Sequence, residues 1–313
     1  MMKRLVVLFS GILSCVWGQT VHVPDYYRID AGLSRELTAI VAELGLEGEF
    51  DAGEDGMERI SLAVIDLTEK RPRLGGVHYD NFIYPASVYK MYVAAGVLEK
   101  IAAGACSLTT VAVAREPNVV DRRREITWDP RPLLQDGDTV TVNYLLDLMI
   151  TRSDNSAANC LIDLAGRDAI NALMHRHGWH GSEVTRKFLK RKFEDPGYET
   201  IRGTETCALH AADFLYRIET RQLIDPWVSM QMKALLGRQL DKSKLASGLP
   251  LSVMMYHKTG WFSCWTHDAG IVDDGRVRYI IACFLPIREE QALPMLRALS
   301  RRVYTLMQKR SGR

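Results

Sequence analysis

The sequence carries no excess of charge of either sign. Lys and Arg total 40, and Asp and Glu total 38, in 313 residues, for a formal net charge of +2. That balance excludes a chain built mainly to hold nucleic acid or an anionic membrane. There is no Cys-x-x-Cys pair; Cys15, Cys106, Cys160, Cys207, Cys264 and Cys283 are scattered. Loss or lipidation of Cys15 would leave an odd five, so no disulfide framework is expected and one bridge at most. Most of the five are expected as small buried apolar side chains. The 23 glycines and 11 prolines follow no triplet period, which removes the collagen-like and low-complexity classes. Beyond the N-terminus no apolar run reaches the length of a transmembrane helix. What is present is the composition of an ordinary globular protein, 47% hydrophobic and 25% charged. A chain of this length can bury roughly 75% of its unfolded surface, in one large domain or two interleaved subdomains.

Residues 1–18 have the pattern of a signal peptide. Lys3 and Arg4 precede an apolar run, Leu5 to Trp17, that is too short to span a bilayer. Cleavage after Gly18 would start the mature chain at Gln19. Ile12-Leu13-Ser14-Cys15 offers a second reading, a lipoprotein box that would make Cys15 a membrane anchor. Both readings predict an exported protein, periplasmic or secreted, and only the second places it at a membrane.

Helical spacing of Leu33, Leu37, Ile40, Val41 and Leu44 predicts an N-terminal amphipathic helix. A strand is expected at residues 60–65, and a second short one after Gly75-Gly76. From Ser87 to about residue 240 the pattern is mainly helical, with Thr141 a candidate cap for the stripe Val142, Leu145, Leu146, Met149 and Ile150. Strands return at 251–257, at 269–272 and at 277–285, the last two joined by Asp273-Asp274-Gly275. A final helix carries Met295, Leu299, Val303 and Leu306. This order describes an α/β domain over residues 19–313. Its sheet part covers about 24–85 and 245–313, and an all-α part, about 86–244, is inserted between them.

Three short motifs follow in order. Ser87-Val88-Tyr89-Lys90 opens a helix, and residues three apart share a helix face, so the Lys90 amine can reach the Ser87 hydroxyl. A serine needs such a neighbouring base to act as a nucleophile at neutral pH. A Ser with Lys three residues on is expected about once by chance in a chain of this length. Ser87 is the only serine here that has one. Ser153-Asp154-Asn155 and Lys258-Thr259-Gly260 are each expected only about 0.04 times. Their joint occurrence in this order is specific, and the trio marks class A β-lactamases and penicillin-binding proteins.

Over essentially the whole mature length the chain resembles the class A branch of the penicillin-recognising serine hydrolases. Ser153 to Asn159 is similar to that family's extended second motif, Phe82 to Lys90 to the approach to its nucleophile, and Gly248-Leu249-Pro250 to the lead into its third motif. The resemblance implies a five-stranded antiparallel sheet flanked by terminal helices, no cofactor and no metal, and a monomer. It implies that Ser87 attacks a lactam or peptide carbonyl with help from Lys90, that Ser153 protonates the departing nitrogen, and that Asn155 holds Lys90 and the substrate amide. Lys258 and Thr259 would bind the substrate carboxylate, Lys258 would also disfavour a charged Lys90, and Gly260 would let the strand edge approach. The N–H groups of Ser87 and Trp261 would form an oxyanion hole, with Trp261 bulkier than is common there.

The family's deacylating Glu has no obvious counterpart. Val184-Thr185-Arg186 resembles the start of the loop that carries it, and Arg202 to Thr206 its exit. Counting forward puts the Glu's place at Phe188; counting back puts it near Lys190. Glu194 is the nearest acid to serve as a substitute base. The expected substrate is therefore a β-lactam, with slow deacylation, or a D-Ala-D-Ala-type peptide for a D,D-carboxypeptidase or penicillin-binding protein. A non-catalytic muropeptide-binding descendant is a third reading. His175, His177 and His180 lack a matching carboxylate or Cys group at ligand spacing and carry no metal expectation. Arg122-Arg123-Arg124 and the run from Arg186 to Lys192 are read as solvated basic faces.

Overall fold

The computed structural model describes residues 21–53, 56–122, 124, 126, 128–189 and 203–312. Its main sheet has six strands in the order β1 (Arg28–Ile29), β5 (Arg73–Val77), β4 (Ser61–Asp66), β10 (Arg278–Leu285), β9 (Trp265–Asp273) and β8 (Met254–Phe262). Five of these are mutually antiparallel, as expected; the sixth, the two-residue β1, adds a parallel edge against Arg73 and Leu74. Two residues carry no readable alternation, so only the tertiary contact reveals this strand. Short two-stranded ribbons, β2 (Glu49–Asp51) with β3 (Met57–Arg59) and β6 (Val111–Val113) with β7 (Thr139–Thr141), also escape the sequence pattern.

The central strands are buried on both faces, and their period of two sorts side chains between two cores. From β4, Leu62 and Val64 enter one core while Ala63 and Ile65 enter the other. From β10, Tyr279, Ile281 and Cys283 join the first pair, and Ile280, Ala282 and Phe284 the second. The first core is closed by α1 (Ala31–Glu43) and α8 (Glu289–Arg310), through Leu33, Leu37, Leu296, Leu299 and Val303. Gly75 permits α1 to sit this close, because a Cβ there would lie 2.6 Å from Leu33 Cγ.

The second core is covered by α2 (Lys90–Ala102), α3 (Val142–Thr151), α4 (Asn155–Ala165), α5 (Arg167–Arg176), α6 (Ala208–Glu219) and α7 (Pro226–Leu236). All six lie in sequence between β5 and β8. Thr141 caps α3 by accepting from Tyr144 N, as its position suggested, and Asp154 caps α4 through Ala157 N. The strand expected at 251–257 is displaced forward. Leu251 is fully exposed in a turn after Pro250, and β8 runs on through Lys258-Thr259-Gly260 to the sheet edge. The third motif thus lies on an edge strand.

The five described cysteines are free; Cys207, Cys264 and Cys283 are buried, and Cys106 and Cys160 half-buried. His175 lies in the last turn of α5 and His177 caps its end. Among the described residues no three His, Cys, Asp or Glu side chains converge as a metal site. No described helix is long and apolar enough to cross a membrane.

Candidate active site

Pro85 ends the approach from the sheet, and Ala86–Tyr89 forms one 3₁₀ turn that runs directly into α2. Ala86 has φ +45°, a left-handed conformation that disfavours a side chain. The turn presents Ser87 half-buried at the surface of the cleft and puts Lys90 on the first turn of α2. The second motif turns between α3 and α4. There Ser153 has φ +61°, and fully buried Arg152 pairs with Asp154 at 2.9 Å while donating to the carbonyls of Arg131 and Pro132. Arg152 and Asp154 therefore hold the turn, leaving Ser153 and Asn155 to face the cleft.

Lys90 is where the motifs meet. Its Nζ lies 3.0 Å from Ser87 Oγ, 3.1 Å from Ser153 Oγ, 2.8 Å from the Ser153 carbonyl oxygen and 2.7 Å from Asn155 Oδ1. The Asn155 amide is oriented by Asp121, whose carboxylate accepts from Asn155 Nδ2 at 2.8 Å and from Asn155 N at 2.6 Å. Lys90 is wholly buried. Burial and the positive charges of Lys258 and Arg124 push its pKa well below that of an ordinary lysine, against a smaller pull from Asp121 and Asp154.

The opposite wall is β8. Lys258 is buried and donates to the Thr259 carbonyl at 2.7 Å. Burial brings its pKa down to about 7, with Arg124 and Lys244 acting in the same direction and Asp241 and Asp268 opposing. Behind it, buried His257 Nδ1 lies 2.9 Å from Asp268 Oδ1. Gly260 explains how closely the strand passes Ser87: a Cβ there would lie 2.9 Å from Pro85 O and 3.1 Å from Ser87 N. Trp261 and Phe262 follow at the rim, each about half exposed.

The third wall is the stretch from Val184 to Leu189. Its base is closed by Glu183 N donating to Glu205 O at 3.1 Å and by Thr185 against Thr204. Asn159, fully buried, accepts from Phe188 N at 2.8 Å and donates to Phe188 O at 3.3 Å. This clamp stacks the Phe188 ring on Tyr89, centroids 4.4 Å apart, and puts it 4.2 Å from Lys90 Nζ. The forward count through this loop leads to Phe188, which lies beside Lys90. Lys190 and Glu194 lie outside the described residues.

Ser87, Lys90, Ser153, Asn155, Lys258, Thr259, Gly260 and Trp261 thus gather from three separate stretches of chain. Residues 44–307 match the model of the β-lactamase enzyme family, most of the chain. The protein belongs to that family. It is a serine β-lactamase-like hydrolase, with the α/β fold of the class. A β-lactamase of Bacteroides uniformis is 28% identical over 286 residues, covering 84% of this chain and 91% of that protein. Among solved structures, PBP-A superposes with a TM-score of 0.73 at 19% identity, over 90% of this chain and 98% of PBP-A. A variant of the last common ancestor of Gram-negative class A β-lactamases gives 0.72 at 23%, over 90% and 100%. At these identities the superpositions establish the fold alone.

Two parts of this β-lactamase-family site were not foreseen. Asp121 and Arg124 reach it from the loop before α3: Arg124 Nη1 donates to the Ser153 carbonyl at 2.8 Å. The arginine run is therefore not simply a solvated face. A charge run has no periodicity that tells which member turns inward; Arg122, by contrast, pairs with Glu116 at the surface. In the second basic run, Lys187 is likewise engaged, with Asp163 at 2.7 Å and Asn118 at 3.1 Å.

Proposed function

We propose that this protein is acylated at Ser87 by β-lactams, opens the lactam amide, and releases the acyl group slowly. The observation that carries the reading is the set of four contacts around Lys90 Nζ. A neutral amine has two N–H donors and one lone pair. Two of its partners, the Ser153 carbonyl and Asn155 Oδ1, accept only, so they take both N–H groups. The lone pair is left facing the hydroxyls of Ser87 and Ser153. Burial and two neighbouring cations favour that neutral form.

Ser87 O–H gives its proton to Lys90 as the oxygen attacks the lactam carbonyl. The N–H groups of Ser87 and Trp261 receive the oxyanion. As the C–N bond breaks, the proton passes from Lys90 through Ser153 Oγ to the leaving nitrogen, and the acyl group stays on Ser87 as an ester. Lys258 and Thr259 hold the substrate carboxylate. Hydrolysis of the ester then needs a base to activate water. Phe188, beside Lys90, has no proton acceptor, and with Glu194 as the substitute base this half-reaction is slow.

The same feature favours a second reading, in which a D-Ala-D-Ala-type peptide is the physiological substrate and β-lactams are slow-leaving acylators. Either way the enzyme works outside the cytoplasm; support for that comes from Lys3, Arg4 and the apolar run to Trp17. One experiment tests the reading. A fluorescent penicillin added to the natively expressed protein should leave a stable label on Ser87, on a chain shortened to Gln19 or to lipidated Cys15. Ser87→Ala should fold and stay unlabelled. Label on Ser87→Ala overturns the nucleophile, and a full-length chain from Met1 overturns export. Release of D-Ala from a D-Ala-D-Ala peptide, faster than penicillin turnover, selects the peptidase reading.

A further inference from the structure

Arg124 is the one described cation besides Lys90 that donates to the Ser153 carbonyl, each at 2.8 Å. It also lies 3.4 Å from Asp121 Oδ2, the carboxylate that orients Asn155. The chain leading to it is anchored: Val120 N and Asp121 N both donate to Ser156 Oγ, at 2.9 and 3.0 Å, on the first turn of α4. The guanidinium is therefore held across the second-motif turn with about a third of its side chain exposed. Ser153 sits there at φ +61°, a conformation that a side chain makes unfavourable and that persists only where its surroundings hold it.

We propose that Arg124 is a positioning residue for acylation: it clamps the left-handed Ser153 turn and places a permanent positive charge beside both site lysines. The proposal rests on the acylation reading above. A guanidinium does not deprotonate in the working range, so this charge persists while the lysines titrate. Lys90 is faced by Lys258 from β8, by Arg124 and Asp121 from the loop before α3, and by Asp154 at the cap of α4. Lys258 is faced by Arg124, by Asp241 and Lys244 from the segment after α7, and by Asp268 from β9. Without Arg124 the acids act on both lysines with less opposition, and each keeps its proton to higher pH.

Acylation needs Lys90 neutral, which sets the acid limb of its pH profile, and Lys258 charged, which sets the basic limb. Arg124→Gln should therefore move both limbs upward together, by about one pH unit. Arg124→Lys keeps the charge but loses the planar fork; its profile should stay in place while the acylation rate falls about tenfold. The measurement is the rate of fluorescent-penicillin labelling of Ser87 from pH 5 to 10 in the full chain, with circular dichroism to confirm folding. A merely structural role would lower both variants without moving either limb. The proposal is overturned if the Arg124→Gln profile superimposes on that of the wild type, or if Arg124→Lys shifts equally. Should wild type fail to label at all, the acylation reading falls. Titration of the Lys90 side-chain NMR signal in the unliganded proteins then still decides: the midpoint rises in Arg124→Gln if Arg124 places the charge, and is unchanged if it does not.

Discussion

The two walls that meet at Lys90 are built from opposite chemistry. On the side of the second motif every contact is polar: Ser153 by carbonyl and hydroxyl, Asn155 by its amide oxygen, with Asp121 and Arg124 behind them. On the side of residues 184–189 the nearest group is the Phe188 ring, stacked on Tyr89. The polar wall can hold a lysine neutral and relay a proton. The aromatic wall can pack, and its ring face can attract an ammonium, but it cannot take a proton from water. An acyl-enzyme hydrolase needs both abilities at one serine, and here only the first has its machinery among the described residues. In the proposed mechanism this difference separates forming the ester from breaking it.

The most direct way to break the contrast is to put a carboxylate on the aromatic wall. Phe188→Glu should raise the deacylation rate of a penicillin acyl-enzyme by about 10²-fold, the lower end of general-base contributions. Labelling of Ser87 should continue. Decay of the labelled species, followed by mass spectrometry, measures it; an unchanged lifetime would mean that the base acts from elsewhere, with Glu194 the residue to test next.

A smaller effect is expected where the aromatic wall is held rather than where it acts. Asn159→Ala removes both hydrogen bonds to the Phe188 backbone and leaves a buried N–H without its acceptor. The expected loss of stability is about 2 kcal/mol, read as a lower denaturant midpoint with little change in slope. A variant as stable as the wild type would show that the Phe188 segment is held by packing on Tyr89 alone.

The smallest effect belongs to the opposite, cationic wall. Lys258, with a pKa brought down to about 7, is charged below that value and neutral above it. In the proposed role, its attraction for a substrate carboxylate is complete in mild acid and fades as pH rises through 7. Between pH 6 and 8, penicillin binding to acylation-silent Ser87→Ala should weaken by up to about tenfold. A flat dissociation constant over this range would remove Lys258 as the main carboxylate partner.

Much of this architecture was legible along the chain because it is local. The 3.6-residue stripes of α1, α3 and α8 and the alternation in β4 and β10 follow from side chains that each core must bury. The Thr141 cap and the Asp273-Asp274-Gly275 hairpin follow from the hydrogen bonding of single residues. The three motifs could be found because each is a short string whose members serve neighbouring atoms. Where a feature depends on a distant partner, the string is silent. The parallel strand β1 exists only because Pro72, Arg73 and Leu74 lie beside it, and β6 and β7 only because the chain folds back across 25 residues.

The sequence by itself determined an α/β domain with an inserted helical part and the residue types that chemistry at Ser87 requires, since periodicity and motif spacing are written in neighbouring letters. Tertiary structure alone added Asp121 and Arg124 to the surroundings of Lys90. Arg124 is one of three consecutive arginines, and nothing in their order shows that one turns onto the Ser153 carbonyl. Phe188 stands where one of two counts through the loop points, and the structure adds what holds its ring beside the lysine: Asn159, from a helix 29 residues earlier, and Tyr89. The physical reason is common to both. A pKa and a proton path depend on charges and acceptors within a few ångströms in space, and the chain brings those together from separations that no local pattern encodes.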